Sequence, residues 1–255
     1  VGYFGPQLVQ NGDFSQEGSQ LITNGDFATD TNWAKGTGWT ISNGKANCDG
    51  ISGASPIYQN IGSATIGKTY KIQLDVSNYT SGTLVAAYGG TSAVGITSNG
   101  SYIFYVKATS TDANTSYLSY SFTGSIDNVS VKEVGQNWTL GTGVAIGEDS
   151  AVFTNVANNQ ALIQNSILSA SKLYSVTYTI SNYSQGGVRL GVSTTTGSIK
   201  NANGTYTEQA VSGTSYLNLY FYASGTTSLS ISNISVKEII GDKPRIDYSD
   251  SSTEP

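Results

Sequence analysis

The chain reads as all-β, with two antiparallel β-sandwich modules of the jelly-roll kind and the first inserted into the second. Three observations predict this. Apolar residues fall on every second position in many short segments, the period of a strand with one buried face. Clusters of Gly, Asn and Ser separate those segments, and both Gly and Asn accept positive φ in turns. Almost every feature of the first half returns in order at an offset of 104 or 105 residues, the mark of an internal repeat.

Taken in order, the first element is a leader in which Leu8-Val9 precede Asn11-Gly12-Asp13-Phe14; its copy is Leu21-Ile22 before Asn24-Gly25-Asp26-Phe27. Next comes a Gly-rich stretch, Asn32-Trp33-x-x-Gly36-Thr37-Gly38-x-x-Ile41, which returns as Asn137-Trp138-x-x-Gly141-Thr142-Gly143-x-x-Ile146. Gln59-Asn60 returns as Gln164-Asn165. The alternation Tyr70, Ile72, Leu74, Val76 predicts a strand, repeated by Tyr174, Val176, Tyr178 and Ile180. Leu84, Ala86 and Tyr88 continue it in one copy, Val188, Leu190 and Val192 in the other. Leu118, Tyr120 and Phe122 are placed on a buried face and set against Leu217, Leu219 and Phe221. Each copy closes on a strand, Asn128-Val129-Ser130-Val131-Lys132-Glu133 and Asn233-Ile234-Ser235-Val236-Lys237-Glu238. No amphipathic helix is found.

The leaders set the domain reading. Nothing like Asn-Gly-Asp-Phe stands before Trp138, whereas a spare copy opens the chain. The economical arrangement is nested: a module of residues 21–134 inserted into an outer module made of 8–15 plus 136–240, followed by 241–255 as a linker toward a further domain. Insertions of this kind are tolerated where a domain's termini lie close together. A duplicated leader that packs on nothing specific is the alternative. With Val1 at its start and no Met anywhere, the chain is expected to be a processed product or a piece of something longer.

Composition excludes several functions. With no His and a single Cys, Cys48, the chain has no Ser-His-Asp triad, Cys-His dyad, His-bearing zinc site or intrachain disulfide. A net charge of -5 supplies no basic field for nucleic acid, and no apolar run is long enough to span a bilayer. The 27 aromatics argue against disorder. Glycosidases need two carboxylates facing one bond; the repeated Glu133 and Glu238 end equivalent strands, where charges serve solubility and edge protection. The chain is therefore read as non-enzymatic.

Alternation also assigns the side chains opposite the core. In the second copy these are Tyr216, Asn218, Tyr220 and Tyr222 on one strand, Ser175, Thr177 and Thr179 on another, and Arg189 on a third. Rings interleaved with amides and hydroxyls suit a sugar, whose C–H face stacks while its hydroxyls take directed hydrogen bonds. The same face would equally suit packing against another subunit. The first copy offers Tyr117, Ser119 and Ser121 outward, with Val85 in place of Arg189. Trp33 and Trp138 occupy equivalent positions and read as core. Trp39 is Val144 in the other copy, so it is free to serve a ligand.

The Asn-Gly-Asp-Phe opening, the Trp in a Gly-rich stretch, the Lys-x-Tyr strands at Lys68 and Lys172, and the closing Ile126-Asp127-Asn128-Val129-Ser130-Val131 together resemble the galactose-binding-like jelly-roll modules found as carbohydrate-binding domains. The paired leaders, the Val-Lys-Glu endings and the tail Lys243-Pro244-Arg245-Ile246-Asp247-Tyr248 further resemble bacteriophage tail-fibre and other virion structural proteins. The resemblance implies a virion or extracellular appendage, acting as spacer or surface decoration. Its partners would be other virion proteins, further copies of itself, or glycans. Two alternatives stand beside it, a carbohydrate-binding module pair of a secreted bacterial polysaccharide-degrading enzyme, and a capsid or tail spacer with no ligand. The resemblance also implies a structural calcium ion (Ca2+) near the first and last strands, for which Asp26 and Asp127 would supply the charge. In the second copy Ser232 replaces Asp127. The competing reading of Asp26 is a turn residue bonding its own backbone.

Overall fold

A computed structural model of the chain describes residues 3–241. Beyond Gly241, the expected linker and its Lys243–Tyr248 motif lie outside the described residues, as does Val1. Among the described residues every regular element is a strand: β1 (Phe4–Gln7), β2 (Glu17–Gln20), β3 (Ala34–Lys35), β4 (Trp39–Ser42), β5 (Lys45–Asp49), β6 (Ala54–Asn60), β7 (Thr69–Tyr88), β8 (Thr91–Ser92), β9 (Gly100–Lys107), β10 (Asn114–Val134), β11 (Thr139–Leu140), β12 (Val144–Gly147), β13 (Ser150–Val156), β14 (Ala161–Gln164), β15 (Leu173–Val192), β16 (Thr195–Lys200), β17 (Gly204–Val211) and β18 (Leu219–Ile239). They make two antiparallel sheets of nine strands with the same internal order, β3-β6-β10-β5-β4 in one and β11-β14-β18-β13-β12 in the other. By contacts the chain divides into two compact units. The first module is residues 14–136 with 145–149. The second is discontinuous in sequence, comprising residues up to 13, 137–144 and those from 150 onward.

Each module becomes a sandwich because its two longest strands bend and serve both layers. In the first module, β7 and β10 pair along Ser116↔Ala87 to Tyr120↔Thr83, then again along Ser125↔Ser77 to Val134↔Thr69, with the register broken between. The break is made by residues in the left-handed region: Asn78 at φ 55°, Gly82 at φ 77° and Ser121 at φ 53°. A Cβ on Gly82 would stand 2.1 Å from the Ser121 carbonyl oxygen, so this crossing requires glycine. The hydroxyl of Tyr79 donates to the Gly82 carbonyl, and its backbone N–H donates to Asn99 Oδ1 at 2.8 Å. Tyr183, Gly186 and Asn203 repeat the same corner in the second module. The Ser-Asn-Tyr repeats are corner signals.

The corner corrects one sequence assignment. Leu118 and Tyr120 were placed inward with Phe122, but the buried residues are Thr115, Tyr117 and Ser119, followed by Phe122, while Tyr120 is exposed. The left-handed Ser121 shifts the alternation by one, so parity counted back from Phe122 lands on the wrong face. The registers Tyr117↔Ala86 and Phe221↔Leu190 make Tyr117 the counterpart of Phe221, at an offset of 104.

The leaders pair with the last strand of their module, Phe4↔Ile239 and Gln7↔Lys237 in one, Glu17↔Val134 and Gln20↔Lys132 in the other. The first leader strand thus lies at Phe4–Gln7 rather than within 8–15. Asn-Gly-Asp-Phe is itself a turn, with Asn11, Phe14, Asn24 and Phe27 all at positive φ. Two side chains clamp each turn. Gln164 accepts from the Gln10 N–H and donates to its carbonyl, at 2.9 and 2.8 Å, as Gln59 does with Thr23. The indoles of Trp138 and Trp33 donate to the Asn11 and Asn24 carbonyls, each at 2.9 Å. The first core gathers Phe27, Trp33 and Tyr117 at one end and Trp39 with Phe122 at the other.

Candidate functional site

One layer of the second module combines the start of β18 with the end of β15. Register sets Arg189 opposite Tyr222 and Gly191 opposite Tyr220. On the outer side of β18, the rings of Tyr220 and Tyr222 stack with centroids 5.0 Å apart and planes 11° from parallel. The Arg189 guanidinium lies 5.7 Å from the Tyr222 ring centroid, and its Nη2 donates to Asn159 Oδ1 at 2.6 Å. A cation over an aromatic face is attracted by the ring quadrupole. Gly191 makes room for this group: a Cβ there would come within 2.7 Å of the Tyr222 ring. Asn218 holds the first ring in place, donating from Nδ2 to the Tyr220 hydroxyl at 2.8 Å while its Oδ1 accepts from the Ser166 N–H. Burial pushes the Tyr222 phenol above its ordinary pKa, reinforced by Tyr220 and opposed by Arg189. Asn159, Arg189, Tyr220 and Tyr222, with Thr194 and Tyr216, line an open depression of about 490 Å³. Tyr216 stands 72% exposed at φ 54°.

This arrangement offers two stacked aromatic rings, a guanidinium over one of them and amide groups fixed by other hydrogen bonds. Tyr216, Asn218, Tyr220, Tyr222 and Arg189 are thus brought together. Asn159 and Gly191 were not foreseen; the signal for Gly191 was a glycine at an outward position between two strongly patterned neighbours.

The other candidates fall elsewhere. Thr177 and Thr179 lie on the opposite layer, because β15 bends between them and Arg189. There they pair with Thr207 and Thr205, their hydroxyls 2.9 and 3.0 Å apart. Trp39 is a core residue and does not face a ligand: it is 4% exposed, stacks on Phe122 and donates from its indole to the Ser55 carbonyl at 3.0 Å. Tyr117 is fully buried against Trp33, and burial drives its phenol pKa well above the ordinary value. Ser119, also read as outward, is buried and accepts from the Phe122 N–H and the Cys48 thiol. At the positions of Arg189, Gly191, Tyr220 and Tyr222 the first module has Val85, Ala87, Ser116 and Leu118, and so lacks the aromatic pair.

Asp26 and Asp127, the residues of the implied calcium site, each hold a local turn. Asp26 Oδ1 accepts from the Ala28 N–H and Asp127 Oδ1 from the Asn128 N–H, at 3.3 and 2.7 Å. Calcium takes roughly six to eight oxygens. Among the described residues no group of three or more His, Cys, Asp or Glu side chains gathers to hold a metal ion.

No protein-family model matches the chain, and no curated protein matches it. Among solved structures it is similar to the N-terminal CBM22-1-CBM22-2 tandem domain of Paenibacillus barcinonensis Xyn10C, at 9% identity over 88% of this chain and 99% of that one, with a TM-score of 0.31. It is also similar to a Paenibacillus xanthan lyase, at 13% identity over 83% of this chain and 25% of that one, TM-score 0.29. A conserved protein of unknown function from Pseudomonas aeruginosa PAO1, PA5104, aligns at 10% identity over 82% of this chain and 98% of that one, TM-score 0.18. Likeness at this level carries no functional argument, and the site is read from its own chemistry.

Proposed function

We propose that the chain is a non-catalytic carbohydrate-recognition protein whose glycan site is the Tyr220–Tyr222–Arg189 face of the second module. The stacked, guanidinium-flanked tyrosine pair carries this reading. The stacked rings present apolar surface for the C–H face of a pyranose, and Arg189 and Asn159 supply directed polar groups beside it. The repeated glutamates are occupied away from this face: Glu133 pairs with Lys68 at 3.2 Å and Glu238 with Lys172 at 3.0 Å. For the setting, the resemblance of the leaders and strand endings favours a virion appendage. A module pair of a secreted polysaccharide-degrading enzyme would use the face in the same way.

Glycan-array screening followed by calorimetric titration tests the site. Tyr220→Ala and Tyr222→Ala are expected to weaken binding at least about tenfold, since each removes a ring from the stack. Gly191→Val should do likewise by displacing Tyr222, with the rest of the fold intact. Retained binding in all three variants, or no glycan binding together with self-association lost in Tyr220→Ala, would make this an assembly face instead.

A further inference from the structure

The two modules differ at one groove in a way that points to a ligand. In the first module the leader residue Glu17 bridges two ammonium groups, Oε1 to Lys71 at 2.6 Å and Oε2 to Lys132 at 2.7 Å. The pairs Glu17↔Val134 and Lys132↔Lys71 correspond in register to Phe4↔Ile239 and Lys237↔Ser175. Lys132 therefore persists as Lys237, while its carboxylate partner has become Phe4 and the second lysine has become Ser175. Among the described residues no acid pairs with Lys237. Lys237 instead lines an open groove of about 280 Å³ with Phe4, Ser175, Thr177, Thr207 and Ser235. Phe4 is 43% exposed.

We infer that this groove binds an acidic saccharide, a hexuronate unit whose carboxylate sits on Lys237 where the Glu17 carboxylate sits on Lys132. The first module shows that this lysine position, on this sheet, takes a carboxylate. What changes in the second module suits a sugar bearing that group: an exposed ring for a C–H face and a row of four hydroxyls that donate and accept. A phosphate would require more donors than one ammonium, and the groove has no cluster of backbone N–H groups at a helix end. An acidic peptide would use the charge but leave the hydroxyl row unmatched. The groove lies on the layer opposite the tyrosine face, and the inference does not rest on that face.

The test uses the full chain, titrated at low salt with a galacturonic acid trisaccharide and with the matching neutral galactose trisaccharide. The acid is expected to bind at least about tenfold more tightly, with the preference falling as salt screens the exposed charge. Lys237→Gln should abolish the preference. The double variant Phe4→Glu, Ser175→Lys rebuilds the first module's bridge and should abolish the preference while the thermal midpoint holds or rises. In a Tyr220→Ala background, Lys237→Gln should still lower binding of the acid, which separates this groove from the other face. Absence of acid binding, equal affinity for the two sugars, a preference that survives both groove variants, or stronger binding of a Glu-rich peptide overturns the inference.

Discussion

Tyr117 and Trp39 show how much one position decides. Both are large rings in polar or Gly-rich surroundings; Tyr117 was assigned outward and Trp39 was read as free to serve a ligand, and both are core. Truncation to Ala at either should cost about 3–5 kcal/mol, the usual range for a buried aromatic, read from denaturant unfolding. Tyr117→Phe should behave oppositely. The buried Tyr117 hydroxyl has no partner of good hydrogen-bond geometry among the described residues, with only a weak contact to the Thr115 side chain, and an unmatched buried polar group costs about 1–3 kcal/mol. Its removal is expected to raise stability by about 1 kcal/mol, and a loss of that size would show that the hydroxyl is matched. The outward tyrosines of β18 were legible because no left-handed residue interrupts the stretch from Leu219 to Ala223. Tyr117 was not, because the count ran back across Ser121.

Among elements, β2 and β1 form an internally controlled pair. Both lie against the last strand of their module, and in each a glutamine Oε1, Gln20 or Gln7, accepts from the backbone N–H of Val131 or Val236. Only β2 adds an ionic clamp. Hydrogen bonds from Lys132 and then Lys71 hold Glu17 below its ordinary pKa of 4.5. The folded state therefore binds this proton less readily than the unfolded chain. The clamp is complete above pH 4.5 and is lost as pH falls through the lowered folded value. Amide exchange of residues 18–20 should accelerate as pH drops below that point, relative to the intrinsic rate, while residues 5–7 show no matching change. Glu17→Gln should remove the difference between the strands. Parallel behaviour of both strands in the native chain would show that the clamp does not hold β2. The carboxylate and lysines were visible in the sequence, but they lie 54 and 61 residues apart (71 − 17 and 132 − 71). Only strand pairing brings them together.

At the scale of the whole molecule, the first thirteen residues belong with the chain's second half. Removing them deletes β1, leaves Gln164 without the Gln10 backbone and strips the Trp138 indole of the Asn11 carbonyl. Calorimetry of the truncated chain should show the second module's transition lowered by at least about 10 °C, given that 1 kcal/mol moves a domain of this size by roughly 4–8 °C. The first module keeps its own leader and should melt as before. An equal shift of both transitions, or of neither, would contradict the division into units.

The sequence by itself determined the all-β class, the doubled module, most core residues and the absence of imidazole and paired-thiol chemistry. These follow from composition and from a two-residue period that needs no partner to be read. Tertiary structure decided where that period slips, which outward residues share a layer, and which lysine keeps its acid. The physical reason is that alternation carries information only as far as the next left-handed residue. A strand of twenty residues that bends through such a corner serves two layers, so Thr177 and Arg189, twelve positions apart on one strand, come to lie on different layers.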